Sequence, residues 1–167
     1  MISKKMEAAL NEQLNKEFFS SYLYLSMAAY FEDKGLPGMA NWMKLQAEEE
    51  HQHGTKFYEF IIKGGKRIKL TSIKEPKFEW TSPQNAFEES LAHEQFITKS
   101  INELTDLAIQ EKDHATNTFL QWFVDEQLEE EATVQQIVES FKLVSDHPAG
   151  LFMLDRELGQ RTQGSAE

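Results

Sequence analysis

The feature that most constrains this chain is a pair of ionisable residues on the apolar face of a helix. Alternating steps of four and three mark Met39, Met43, Gln46, Glu50, His53, Phe57 and Phe60 as one face. Glu50 and His53 therefore lie one turn apart on the side that the flanking residues commit to burial. Burying a carboxylate costs several kcal/mol unless a partner compensates it, and a metal ion can use a carboxylate and an imidazole at once.

The rest of the chain repeats the theme. A helix is expected over about residues 3–33, ended by Lys34-Gly35-Leu36-Pro37, with Leu10, Leu14, Glu17, Ser21, Tyr24, Ala28 and Phe31 on its inner face. The second helix spans about 37–63 and stops at Gly64-Gly65. Residues 66–82 are Lys-rich, interrupted by Pro76 and spaced too irregularly for a helix. At roughly 3.3 Å per residue this segment reaches on the order of 55 Å, more than the roughly 40 Å of the preceding helix, so it can return along the bundle and leave the flanking helices parallel. Ser82-Pro83 opens a third helix to about 112, with Phe87, Leu91, Glu94, Ile97 or Thr98, Ile101, Leu104 and Ala108 inward. The fourth, about 114–145, turns Thr116, Leu120, Phe123, Gln127, Glu130, Val134, Ile137, Phe141 and Val144 inward. A short helix over about 149–158 carries Leu151, Phe152, Leu154 and Leu158, and is expected to bury them against other copies of the chain. The expected fold is all-α: a single domain over 1–167, built as a four-helix bundle with one long crossover and a short fifth helix.

Each long helix thus places a polar group near its midpoint: Glu17, then Glu50 with His53, then Glu94, then Gln127 with Glu130. Midpoints of bundle helices share one level, so these groups should meet in one layer. A lone Glu on an amphipathic face usually reaches water, but four at matched depth argue for shared ligation. Such clusters are satisfied by two transition-metal ions bridged by carboxylates, from one Glu on each of two helices and Glu-x-x-His on the other two. Gln127-x-x-Glu130 departs from the second Glu-x-x-His. Residues alone leave three readings: a redox metal enzyme, a metal buffer without turnover, and a structural bundle. An oxygenase acting on an organic substrate is disfavoured because Phe123, Ile97 and Leu91 fill the space it would need. Glu49, Glu126 and Glu129 flank the layer and could add a cation site, although such runs are often solvated. Tyr24 and Trp122 could pass an electron, with core packing as their default role. His51, His93, His114 and His147 fall off the inner faces and are expected at the surface.

Composition narrows the partners. With 28 acidic and 17 basic residues the formal net charge is -11, which argues against nucleic acid and anionic membranes and suits cations. The absence of cysteine excludes disulfides, thiolate zinc sites and Cys-ligated clusters. The first residues turn amphipathic without the apolar core of a signal peptide, and no stretch approaches a membrane span, so a cytoplasmic protein is expected.

Taken together, Glu17, Glu50-His51-Gln52-His53, the long connection, Glu94, Gln127-Leu128-Glu129-Glu130 and the short helix after Pro148 resemble the bacterial non-haem ferritins along essentially the whole chain. The resemblance implies a ferritin-like bundle, a homo-oligomeric hollow cage of 24 subunits, and a ferroxidase that oxidises Fe(II) with dioxygen or hydrogen peroxide and stores ferric oxide inside. It implies that Glu17, Glu50 and His53 hold the first iron, that Glu50, Glu94 and Glu130 hold the second, and that Gln127 stands near the oxidant. Glu49, Glu126, Glu129 and Glu130 would correspond to a third iron site. No haem is expected: Gln52 stands where a haem-containing relative would have Met, and Glu130 where it would have His.

Overall fold

The computed structural model describes residues 2–144 and 147–164. Five helices account for its regular structure: α1 (Lys4–Asp33), α2 (Pro37–Lys63), α3 (Pro83–Gln110), α4 (His114–Val144) and α5 (Pro148–Leu158). The fold class is the expected one. Boundaries fall within two residues of the sequence reading, and the expected end of α4 at Ser145 lies outside the described residues.

Local chemistry explains where the helices begin and end. The hydroxyls of Ser3 and Ser82 accept hydrogen bonds from the backbone N–H groups of Met6 and Asn85, which satisfies otherwise orphaned first-turn donors. Gly35, at φ +70°, lets the chain leave α1 through the left-handed region. Between α3 and α4, Lys112 takes that conformation (φ 56°) without a glycine, and Asp113 accepts bonds from the Thr116 N–H and hydroxyl at 3.2 and 2.7 Å.

Residues 66–82 form the expected crossover. Asn11 meets Arg67 and Lys69, Ser26 meets Lys77, and Tyr30 packs on Trp80, so the segment climbs α1 from its beginning to its end. It delivers α3 to the level at which α2 starts, where Phe87 packs on Phe31 and Trp42. Consequently α2 and α3 run parallel, while α1 packs along α2 and α3 along α4.

Two apolar cores result. One gathers Tyr24, Phe31, Met43, Phe87 and Phe141; the other gathers Leu10, Phe57, Ile101, Leu120 and Phe123. Buried polar residues separate them.

The fifth helix departs from expectation. Leu154 and Leu158 are buried against the chain's own bundle, with Leu151 packed beside them, and only Phe152 among the four expected residues remains exposed. α2 begins at Leu36-Pro37 without a side-chain cap of its own, and Asp155 of α5 accepts the Met39 N–H at 2.8 Å instead. The approach is so close that a Cβ on Gly38 would sit 1.7 Å from the Asp155 carbonyl oxygen. Gly38→Ala should therefore cost about 1–3 kcal/mol through overpacking, lowering the thermal midpoint by several degrees, roughly 2–4 °C per kcal/mol. Asp155→Ala should cost about 1–2 kcal/mol through the lost cap. Calorimetry on both variants checks this, and unchanged midpoints would mean that α5 does not dock here.

Candidate metal centre

The layer between the cores is made by the residues that interrupt the apolar faces. Glu17 of α1, Glu50 and His53 of α2, Glu94 of α3, and Gln127 and Glu130 of α4 are all buried, none more than 7% exposed. Periodicity aims each side chain inward, and the antiparallel pairing of α1 with α2 and of α3 with α4 brings the helix midpoints level.

Two sets of ligand atoms result. One atom each from Glu17, Glu50 and His53 lie within 4.8 Å of one another, as do one each from Glu50, Glu94 and Glu130. Glu50 belongs to both sets, so its carboxylate lies between them. A third set joins His53, Glu126 and Glu130. Glu49 and Glu129 line the same cavity as Glu126 and Glu130 but fall outside that set, and Glu49 is paired with Arg161 at 2.6 Å.

The hydrogen bonds around the layer are asymmetric. Gln13 donates to Glu17 Oε1 at 2.7 Å, and Gln46 donates to Glu50 Oε1 at 3.0 Å and to Glu130 Oε1 at 2.9 Å. The opposite oxygen of each carboxylate, Oε2, is buried without a hydrogen bond, as is His53 Nδ1, and Glu50 Oε2 and His53 Nδ1 lie 3.4 Å from each other. Glu94 differs: the Tyr24 hydroxyl donates to Oε1 and Gln127 to Oε2 at 3.1 Å. Buried polar atoms are rarely left unpaired. Four atoms of the kinds that bind divalent cations, without hydrogen bonds on one layer, fit metal ligation.

Electrostatics agree. Burial pushes Glu50 and Glu130 well above the ordinary carboxylate range, with repulsion from neighbouring carboxylates adding to it. Burial also raises Glu17, opposed by His53, and Glu94, opposed by the bonds from Tyr24 and Gln127. Tyr24 is raised well above its usual value by burial and by the charge on Glu94. Without metal the layer retains protons that water would take.

The other singled-out residues divide. Tyr24 is fully buried and donates to the Glu94 carboxylate. Trp122 is not core: it is 40% exposed, its ring edge-on to His53 at 5.4 Å and Lys56 lying over its face. His51, His114 and His147 are exposed as expected. His93 is not, since it contacts the Ser20 hydroxyl at 2.7 Å and burial lowers its pKa to about 4. Gln13 and Gln46 were not among the expected site residues. Both precede a ligand Glu by four positions, as Gln13-x-x-x-Glu17 and Gln46-x-x-x-Glu50, which is the spacing of a side chain one turn away on the same face.

The family model described as "Ferritin-like domain" matches residues 7–144. A "Bacterial non-heme ferritin" of Bacteroides fragilis is 46% identical over 161 residues, 96% of this chain and 100% of the relative. One of the same name from Staphylococcus epidermidis is 41% identical, over 97% of this chain and 98% of the relative. Among solved structures, an open pore ferritin from the hyperthermophilic archaeon Archaeoglobus fulgidus superposes with a TM-score of 0.96 at 49% identity, covering 97% of this chain and 100% of that one.

The raised carboxylates set the pH behaviour. Divalent metal must displace the retained protons, so anaerobic titration of weakly buffered metal-free protein near neutral pH should release protons, and affinity should rise with pH. A folded-state pKa above the unfolded value makes the folded state the better proton binder. These groups therefore favour folding most below about pH 4.5, and their contribution is lost as pH rises through the folded values. Glu50→Gln should flatten that part of the stability–pH curve of metal-free protein. Metal binding without proton release would show that the layer is already ionised.

Proposed function

The chain belongs to the ferritin family, whose function is iron storage with ferroxidase activity, and we propose that the polar layer is the site at which this protein oxidises Fe(II). In this reading Glu17, Glu50 and His53 hold one Fe(II), Glu50, Glu94 and Glu130 hold the second, and Glu50 bridges them. The observation that carries the assignment is the set of buried atoms without a hydrogen bond, Glu17 Oε2, Glu50 Oε2, His53 Nδ1 and Glu130 Oε2, on one layer.

Each Fe(II) gives up one electron. The pair together reduce dioxygen with two protons to hydrogen peroxide, or hydrogen peroxide with two protons to two waters. The protein's part is to hold both ions on one bridging carboxylate so that the two electrons leave together, and to exclude water with the apolar layers on either side. Gln127 sits over Glu94, bonded to its Oε2, its carbonyl and the Thr98 hydroxyl, and would flank the oxidant. Glu130 in place of a second His makes the second subsite all-oxygen. Hard ligands suit Fe(III), and the ferric product then moves on into storage. The group of His53, Glu126 and Glu130, next to Glu49 and Glu129, supports a third, weaker iron position beside the first two. Tyr24 and Trp122, in contact with Glu94 and His53, would give an electron in this reading.

We also propose a cytoplasmic homo-oligomeric cage of 24 copies. Among the described residues no helix is long and apolar enough to cross a membrane. On α5, Phe152 and Met153 stay 62% and 70% exposed after their neighbours have docked, which suits contact between copies.

Three results would test this reading. Glu50→Ala should abolish fast Fe(II) oxidation in stopped-flow absorbance while leaving the fold intact, because removing a buried acid relieves repulsion in the metal-free layer. Oxidation in the unaltered protein no faster than in protein-free buffer would instead make the centre a metal buffer. Glu130→Ala should lose about one Fe(II) per chain in anaerobic titration, and the second ion more than the first. Phe152→Lys with Met153→Lys should shift light scattering toward smaller species; an unaltered assembly would remove α5 from the contact.

A further inference from the structure

One buried side chain touches two ligand carboxylates. Gln46 is 2% exposed, and its amide nitrogen uses its two hydrogens on Glu50 Oε1 at 3.0 Å and Glu130 Oε1 at 2.9 Å. Its carbonyl oxygen must then point the other way. There Arg161, three residues beyond α5, donates to it from Nη1 at 3.1 Å. The same guanidinium donates to the Trp42 carbonyl at 3.3 Å, pairs with Glu49 at 2.6 Å and lies over the Trp42 ring at 4.5 Å. Arg offers donors only, so it accepts one face of the amide and rejects the other. A flipped Gln46 would set its NH₂ against the guanidinium and its oxygen against two carboxylates.

We infer that Gln46, locked in one orientation by Arg161, is a positioning residue of the second metal subsite: it ties one oxygen of Glu50 and one of Glu130, and so presents the other oxygen of each to the ion. The inference rests on the assignment of the polar layer to iron. Its support is the match between what is clamped and what is left open: the Oε1 atoms bonded to Gln46 leave the Oε2 atoms of the same two residues buried without a hydrogen bond, that of Glu50 beside His53 Nδ1 at 3.4 Å. The first subsite repeats the device. Gln13 donates to Glu17 Oε1, its own oxygen accepts the Ser100 hydroxyl at 2.6 Å, and Lys16 donates to Ser100 at 2.8 Å, while Glu17 Oε2 is left free. In both places a buried amide, oriented by a chain of donors ending on a cation, decides which carboxylate oxygen faces the metal. At the second subsite that cation comes from the C-terminal tail, which ties the tail to ligand geometry across the wall of a cavity of about 520 Å³.

Anaerobic Co(II) binding tests it, because Co(II) reports occupancy and coordination by visible absorption without turnover. The unaltered protein should bind two Co(II) per chain, and Glu50→Ala should bind neither tightly. Arg161→Met and Gln46→Met, which keep size but remove the donors, should each weaken the second Co(II) about ten-fold or more, the scale typical of lost hydrogen bonds to ligands, and the first by less. The double variant should be no weaker than Gln46→Met alone, since Arg161 acts through Gln46. Arg161→Lys keeps the charge as a single point and should fall between. A tail residue with only a structural role would lower the thermal midpoint and leave Co(II) binding alone. Unchanged affinities in Arg161→Met, or losses that multiply in the double variant, would overturn the inference. If Gln46→Met does not fold, the graded loss of the second ion from Arg161→Lys to Arg161→Met decides it. Were Glu50→Ala to bind Co(II) like the unaltered protein, the assignment of the centre would fall and this inference with it. Loss in Glu50→Ala without loss in Arg161→Met overturns the inference alone.

Discussion

The cost of keeping four carboxylates in one dry layer is the constraint to which the rest of the structure answers. Glu17, Glu50, Glu94 and Glu130 are each at most 7% exposed, and no Lys or Arg hydrogen-bonds to any of them among the described residues. Compensation comes from neutral donors, from retained protons and from an imidazole. An apolar layer would be more stable, since a buried ionic cluster rarely outperforms well-packed hydrophobic residues. On the proposed function, the bundle carries this cost because the atoms without hydrogen bonds are what a metal ion needs. Metal binding and the stability of the layer are therefore one quantity.

Holding such a layer together requires rigid walls on both sides of it. The aromatic packing of Phe31, Trp42, Phe87 and Phe141 on one side and of Phe57, Phe119 and Phe123 on the other supplies them. The crossover matters for the same reason: it runs beside α1 and makes α2 parallel to α3, which puts the midpoints of α2 and α3, and with them Glu50 and Glu94, at one height. α5 completes the end of the bundle by capping α2 through Asp155 and by leading into the tail that carries Arg161.

Within the centre, amides do the fine positioning. Gln13, Gln46 and Gln127 each give N–H donors to a ligand carboxylate, and a neutral donor can hold a carboxylate without competing for its charge as Lys or Arg would. Glu94, bonded on both oxygens by Tyr24 and Gln127, is the most constrained of the four, whereas Glu50, shared between two sets of ligand-type atoms, keeps one oxygen without a hydrogen bond. That difference suits a bridging role for Glu50.

The fold and the residues of the buried polar layer were legible in the sequence because helical periodicity is local. An apolar residue every three or four positions names a buried face, and Glu17, Glu50, His53, Glu94 and Glu130 stood out as interruptions of it. The length of residues 66–82 set the parallel arrangement, and Ser3, Gly35, Ser82 and Pro83 marked helix ends through turn and cap chemistry. Residues whose partners come from another element were not legible. Gln46 stands on the inner face of α2 in the sequence, but its role does not emerge until α4 brings Glu130 and the tail brings Arg161, 115 positions away, to the same amide. His93 falls off its helix's inner face, yet Ser20 of α1 covers it. Leu154 and Leu158 are apolar in any reading, but whether they bury against their own bundle or another copy depends on Gly38 leaving room for the Asp155 backbone. Which face of a helix is buried is a property of the helix; which side chain meets it there is decided by how the helices pack.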